Sequence, residues 1–137
     1  MKTKILFVNA HYYYAISKDL VSDPKLILDK NKIKYKIINV PGVFEIPVII
    51  AKNIKKFDAF IALGCVIKGK TPHFDFISSA VTNAIIDISI IHKKPIGNGI
   101  LTCLNSKQAF ERANPNKKNK GKGGEAARAV LKILEIT

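Results

Sequence analysis

The stretch GCVIKGKTPHFDFIS, residues 64–78, gathers the groups best able to do chemistry. Thr71 suits a helix N-cap and Pro72 the first helical position. A helix N-terminus is therefore expected here, with free N–H groups and the positive end of the helix dipole. Gly69 lets the backbone approach a ligand closely, so Gly69, Lys70 and Thr71 make a candidate anion cradle. His73, one of only three histidines, falls in the first turn beside that cradle. This is a place for a general acid/base next to a phosphorylated substrate; the competing reading is a solvated surface histidine. The spacing from Gly64 to Gly69-Lys70-Thr71 also fits a nucleotide P-loop on paper. Against that, Pro72 and His73 follow at once, and no later strand ends in a metal-binding aspartate.

Other candidates are scattered. His11 and the tyrosines Tyr12, Tyr13 and Tyr14 follow an apolar run, where rings could stack on a planar ligand; Tyr13 and Tyr14 are read as packing residues. Glu45 opens a helix and either complements its dipole or hydrogen-bonds the hydroxyls of a polyol. Arg112 ends a helix, as a dipole partner or as a two-pronged phosphate clamp. His92, before Lys93-Lys94, is read as structural. Cys65 and Cys103 have no CxxC spacing and no histidine at ligand spacing, so they are read as packing thiols and no metal site is expected.

The elements that must position these groups alternate. Apolar runs at residues 4–9, 34–40, 58–66 and 95–102 read as strands. Helical spacing occupies residues 15–32, with Pro24 as a kink or a restart capped by Ser22, then 44–55, 72–92, 106–114 with Ser106 as cap, and 125–136. Residues 114–124 read as a basic, glycine-containing linker. Continuous apolar strands alternating with helices demand a parallel sheet covered on both faces. The expected fold is an α/β three-layer sandwich: a four-stranded parallel sheet, flavodoxin-like, with helices on both faces. Ligands bind beyond the carboxyl ends of such strands, so residues 11–14, 41–45, 65–73 and 97 onward are expected on one rim.

At 137 residues the chain is the length of one domain, 1–137. Apolar residues make up 47% and charged residues 24%, ordinary for a soluble globular protein. The first residues do not read as a signal peptide. Residues 74–91, the most apolar long stretch, contain Asp75, Asn83 and Asp87 and read as a buried helix rather than a membrane span. Free thiols make a cytoplasmic location the expectation. The formal charge of +13 raises nucleic-acid binding. Among the 23 basic residues, however, only Arg112 and Arg128 are arginine, and the planar fork that reads bases and clamps phosphates is thus almost missing. Compositional drift is the preferred explanation, and nucleic acid is not an expected partner.

Taken together, VPGVFEIP (40–47), ALGCVIKGKTPHFDFIS (62–78), PIGNGILT (95–102), SKQAFERA (106–113) and KGGEAARA (122–129) resemble the lumazine synthase family, in order along almost the whole chain. The resemblance displaces the P-loop reading. It implies a transferase that performs a cofactor-free condensation in riboflavin biosynthesis: 5-amino-6-(D-ribitylamino)uracil joins 3,4-dihydroxy-2-butanone 4-phosphate, giving 6,7-dimethyl-8-ribityllumazine, phosphate and water. It makes His73 catalytic and Lys70, Thr71 and Arg112 phosphate-binding. It assigns Val43, Phe44 and Glu45 to the ribityl chain, the backbone of Cys65, Val66 and Ile67 to the pyrimidine edge, and His11 to stacking on the pyrimidine. Asn98 is implied as a contribution from a neighbouring subunit, and Lys122, beside Glu125, as the active-site lysine, with Lys120 its rival. The family forms pentamers, stacked decamers or capsids with sites between adjacent subunits. A homopentamer is expected, because the 114–120 linker is longer than usual and the leading segment that adds a strand to a neighbour is missing. A functional link to riboflavin synthase is also implied. Alternatives are a non-catalytic lumazine- or flavin-binding relative and, behind it, a basic nucleic-acid-binding α/β module.

Overall fold

Four apolar segments become parallel strands: β1 (Lys4–Ala10), β2 (Lys34–Val40), β3 (Ala59–Ile67) and β4 (Ile96–Cys103), hydrogen-bonded in the order β2-β1-β3-β4. This computed structural model describes residues 2–114, 116 and 121–136. Five α-helices connect and cover the sheet: α1 (Tyr14–Lys30), α2 (Ile46–Lys52), α3 (His73–His92), α4 (Ser106–Ala113) and α5 (Lys122–Ile136). A single 3-10 turn, Val43–Glu45, precedes α2. The expected three-layer α/β sandwich is the observed one, in the strand order of flavodoxin-like sheets as far as the fourth strand.

Side-chain alternation divides the core. Leu6, Val8 and Ala10 of β1, with Phe60, Ala62 and Val66 of β3, face Ile46 and Ile50 of α2 and Val81 and Ile85 of α3. Ile5 and Phe7, with Ile61 and Leu63, face Leu28 of α1 and Ala126, Ala127 and Val130 of α5. A third cluster joins Ile16 and Leu20 of α1 to Leu101, Cys103, Ala109 and Ala113 around α4. β1 and β3 are thus sealed on both faces, and each fully buried Leu, Ile or Phe there contributes about 1.5–3 kcal/mol.

The boundaries show where local chemistry prevails. Pro24 lies buried inside a continuous α1, so the helix does not restart there, and the Ser22 hydroxyl donates to the Asp19 carbonyl at 2.7 Å. α2 is shorter than its apolar spacing suggests, because the Asn53 amide turns back to the Ile49 carbonyl at 2.8 Å. Asn105 rather than Ser106 caps α4: its side chain accepts the Gln108 N–H at 2.9 Å. Pro72 takes the cap position of α3, so His73 is its first helical residue. α3 is not a buried helix in a single chain. Only Val81 and Ile85 are buried, while Phe76, Ile86, Ile90 and Ile91 stand in the open. By length and hydropathy α3 could cross a membrane; what its apolar surface needs is a cover.

α5 starts at Lys122, a turn earlier than its apolar pattern, so Gly123 and Gly124 are helical rather than linker. A Cβ on Gly123 would lie 2.0 Å from the Leu20 carbonyl oxygen and 3.0 Å from Pro24. Pro24 has no N–H to give that carbonyl, and the helix backbone of α5 presses against α1 there. Gly123→Ala is expected to destabilise the protein by about 1–3 kcal/mol, despite alanine's better helix propensity, because the atom it meets is backbone. A lower melting temperature in a thermal unfolding scan checks this; an unchanged or higher one would show that α5 can shift freely.

Candidate active site

The carboxyl rim of the sheet holds a cleft of about 530 Å³, lined from three loops and the start of α3. The loop after β1 supplies Tyr12 and Tyr13, the 3-10 turn supplies Val43 and Phe44, the end of β3 supplies Cys65, Val66 and Ile67, and α3 supplies His73 and Ile77. Gly64 permits this closeness, since a Cβ there would meet Val43 at 2.6 Å and Ala10 at 3.1 Å. Val43 and Phe44 are aimed by the turn itself: a Glu45 carboxylate oxygen accepts the Gly42 N–H at 2.9 Å. Glu45 therefore holds the turn, with its carboxylate directed at backbone. Phe44 and His73 are exposed, as a wall awaiting a ligand or a neighbour would be.

Between β3 and α3, the segment holding Lys70 and Thr71 is exposed beside His73, and the Thr71 hydroxyl lies 3.4 Å from the His73 N–H. Nothing would obstruct a Cβ on Gly69. The open amino end of α3 thus meets the cleft at the residues expected to bind an anion.

His11 does not line this cleft. It borders a separate depression with Asn9, Ser17 and Asn39 on the α1 side, and its N–H donates to the Val40 carbonyl at 3.1 Å. The ring that reaches the His73 cleft from the end of β1 is Tyr12, packed edge-on against Tyr13 with centroids 4.9 Å apart. Four rings in a row hide this choice in the sequence. The strand period reveals it: Leu6, Val8 and Ala10 face the α2–α3 side, and continuing by twos reaches Tyr12. Tyr13, read as a packing residue, both lines the cleft and packs against the α1–α4 cluster.

The remaining candidates lie elsewhere in the chain. Arg112 on α4 and Lys122 on α5 belong to helices packed on the face opposite α3. Lys122 pairs with Glu125 at 3.5 Å, whereas Lys120 lies outside the described residues. Gly97 and Asn98 are not on the carboxyl rim, which β4 reaches only at Cys103: Gly97 pairs with Ile61 near the amino end of β3, and Asn98 sits exposed on the edge strand opposite Ala62. The Asn98 side chain accepts the Ile100 N–H at 3.0 Å.

One thread links the two faces at the rim. Cys65 and Cys103 are free, buried thiols of one cluster, and Arg112 Nη1 reaches Cys103 Sγ at 4.0 Å. Burial pushes the Cys65 thiol up from 9.0 to about 12; Cys103 adds to the shift and the Arg112 guanidinium opposes it. The folded-state value is the raised one, so this residue's contribution to stability is complete below pH 9 and drains as pH rises through the folded value. The thiol is consequently no nucleophile at neutral pH. In the folded protein at pH 9, iodoacetamide should label Cys65 at least about a hundredfold more slowly than in the urea-unfolded chain. Peptide mapping by mass spectrometry measures this; equal rates would place Cys65 in an open, polar setting.

Comparison with known proteins identifies these features. A sequence model of the 6,7-dimethyl-8-ribityllumazine synthase family matches residues 2–137. Proteins named 6,7-dimethyl-8-ribityllumazine synthase are similar throughout: that of Agrobacterium fabrum is 39% identical over 98% of this chain and 95% of its own length. Those of Bartonella tribocorum and Bartonella henselae are 41% and 42% identical, over 98% of this chain and 90% and 88% of their own. With a family model matched over residues 2–137 and relatives about 40% identical over almost the whole length, this chain belongs to the 6,7-dimethyl-8-ribityllumazine synthase family.

Proposed function

We propose that the protein condenses 5-amino-6-(D-ribitylamino)uracil with 3,4-dihydroxy-2-butanone 4-phosphate to form 6,7-dimethyl-8-ribityllumazine, in sites shared between adjacent copies of a homopentamer. The observation that carries this reading is the division of one set of residues over two faces of a single chain. His73 borders the cleft with Tyr12, Val43, Phe44 and the end of β3, whereas Arg112 and Lys122 lie on helices of the opposite face. A ring that brings the α4–α5 face of one copy against the α3 face of the next completes the set. It also covers Phe76, Ile86, Ile90 and Ile91, whose exposure a lone chain leaves unexplained.

In such a site the pyrimidine stacks on the Tyr12 ring, its edge read by the backbone of Cys65, Val66 and Ile67, with the ribityl chain along Val43, Phe44 and Glu45. The phosphate rests on the Lys70–Thr71 backbone at the amino end of α3 and on Arg112 of the next copy, near its Lys122 and Asn98. The amine attacks the ketone and water leaves to give an imine. Phosphate is then eliminated, and ring closure follows with loss of water. Each step moves protons without net electron transfer, which suits an imidazole at His73 and two reactants held close. Such an enzyme supplies the substrate of a riboflavin synthase. Its two free thiols favour the cytoplasm.

His73→Ala should lower the rate of lumazine formation, followed by absorbance and fluorescence, by about a hundredfold or more. Arg112→Ala should raise KM for the phosphorylated ketone at least about tenfold, the loss of a charge-assisted contact. Mixing the two variants after dissociation and reassembly is the sharper test. If the site is shared, about a quarter of the sites in randomly mixed rings regain both residues and activity returns. No recovery from rings that have demonstrably mixed would place both residues in one chain's site.

A further inference from the structure

At the other end of the sheet, far along the strands from His73, lies a depression of about 580 Å³ bordered by Lys4, Lys34, Lys36 and Lys56, with Asn53 and Phe57. We propose that it binds a small ligand carrying two or more linked phosphates. Parallel pairing sets Lys4 directly opposite Lys34 and Leu6 opposite Lys36. Paired residues share a face, so the ammonium groups of strands β1 and β2 stand on the Leu6 side, the side α2 covers further along. α2 ends at Lys52, and Asn53 and Lys56 of the following turn complete the rim of the gap.

This arrangement opposes the local rules of sheet building. Like charges directly opposite on one face destabilise a strand pair, and a half-covered face ordinarily takes apolar residues. No carboxylate lines the depression, and among the described residues none of the four lysines forms an ion pair. The nearby Asp58 carboxylate accepts the Lys4 backbone N–H at 2.8 Å. Lys4 Nζ instead stands 5.7 Å from the centre of the Phe57 ring. Conflict between local preference and fold concentrates at functional positions, and a bound anion would relieve it. Lysines are point charges without the planar fork that reads bases. The volume fits a small molecule. Both features favour a short phosphate chain, from an inorganic oligophosphate or a nucleoside triphosphate.

Titration calorimetry on the assembled full-length protein at physiological salt tests this, with tripolyphosphate, ATP, orthophosphate and sulfate as probes. Saturable binding of tripolyphosphate is expected, at least about tenfold tighter than orthophosphate or sulfate. The double variant Lys34→Gln/Lys36→Gln should weaken it at least about tenfold while lumazine formation, or its absence, stays as in the parent protein. ATP equal to tripolyphosphate makes the phosphate chain the determinant; ATP much tighter makes the ligand a nucleotide. Both outcomes support the site. Removing like charges should leave the melting temperature unchanged or higher; if the double variant nonetheless fails to fold, Lys56→Gln, on a turn, provides the same comparison. Absence of saturable binding, equal binding of sulfate, or affinity undisturbed by the variants overturns the proposal. The last result would leave the lysines the single task of keeping an edge strand from pairing.

Discussion

β1 and β3 lie side by side at the centre of the sheet, sealed on both faces and running the same way. Parallel strands cannot be joined by tight turns, so each return to the starting end must cross over a face as a helix. That requirement sends every strand-to-helix loop to one end and every helix-to-strand loop to the other. The first end receives Tyr12, the Val43–Glu45 turn, Cys65 and His73 from four separate stretches of sequence. The second receives Lys4, Lys34 and Lys56. Two chemically different ends therefore arise from one hydrogen-bonding pattern.

The same constraint keeps Arg112 and Lys122 away from the His73 cleft within one chain. Crossovers that cover both faces must divide their helices between them, so α3 and α4 lie back to back across the sheet. A residue at the end of α4 cannot face the cleft beside α3 in the same copy. Cys65 lines the cleft and also belongs to the cluster that holds Cys103, which Arg112 contacts. In the proposed ring this back-to-back layout would become a front-to-back one, with the apolar surface of α3 as its seam.

Much of this was readable in the sequence. The alternation of apolar runs with helical spacing is a strong signal because burial on both faces leaves no polar alternation to confuse it, and the strands came within a residue or two. The ends of helices were harder. Asn105 and Ser106 are both good caps, and only backbone geometry decides between them. Lys122-Gly123-Gly124 reads as linker because glycine is a poor helix former, yet these glycines are helical for the sake of contact with α1. At the site, Val43, Phe44, Cys65, Val66, Ile67 and His73 converge as their motifs suggested. That Tyr12 rather than His11 borders the cleft was not legible, because it depends on which way the side chains beyond a strand's end point. The division over two faces is invisible in a linear text.

The meeting of Gly123 with the Leu20 carbonyl has a temporal side. Leu20 lies in α1 and Gly123 far along the chain in α5, so a ribosome-bound chain holds α1 before this partner has been made. Contacts so distant along the chain close late and slow the search for the native state. Until then the flank of α1 and the β1 side it shares with α5 remain open to water and to other nascent chains. A glycine there keeps that docking step free of side-chain interlocking, so that α5 can settle closely against α1 once both are made.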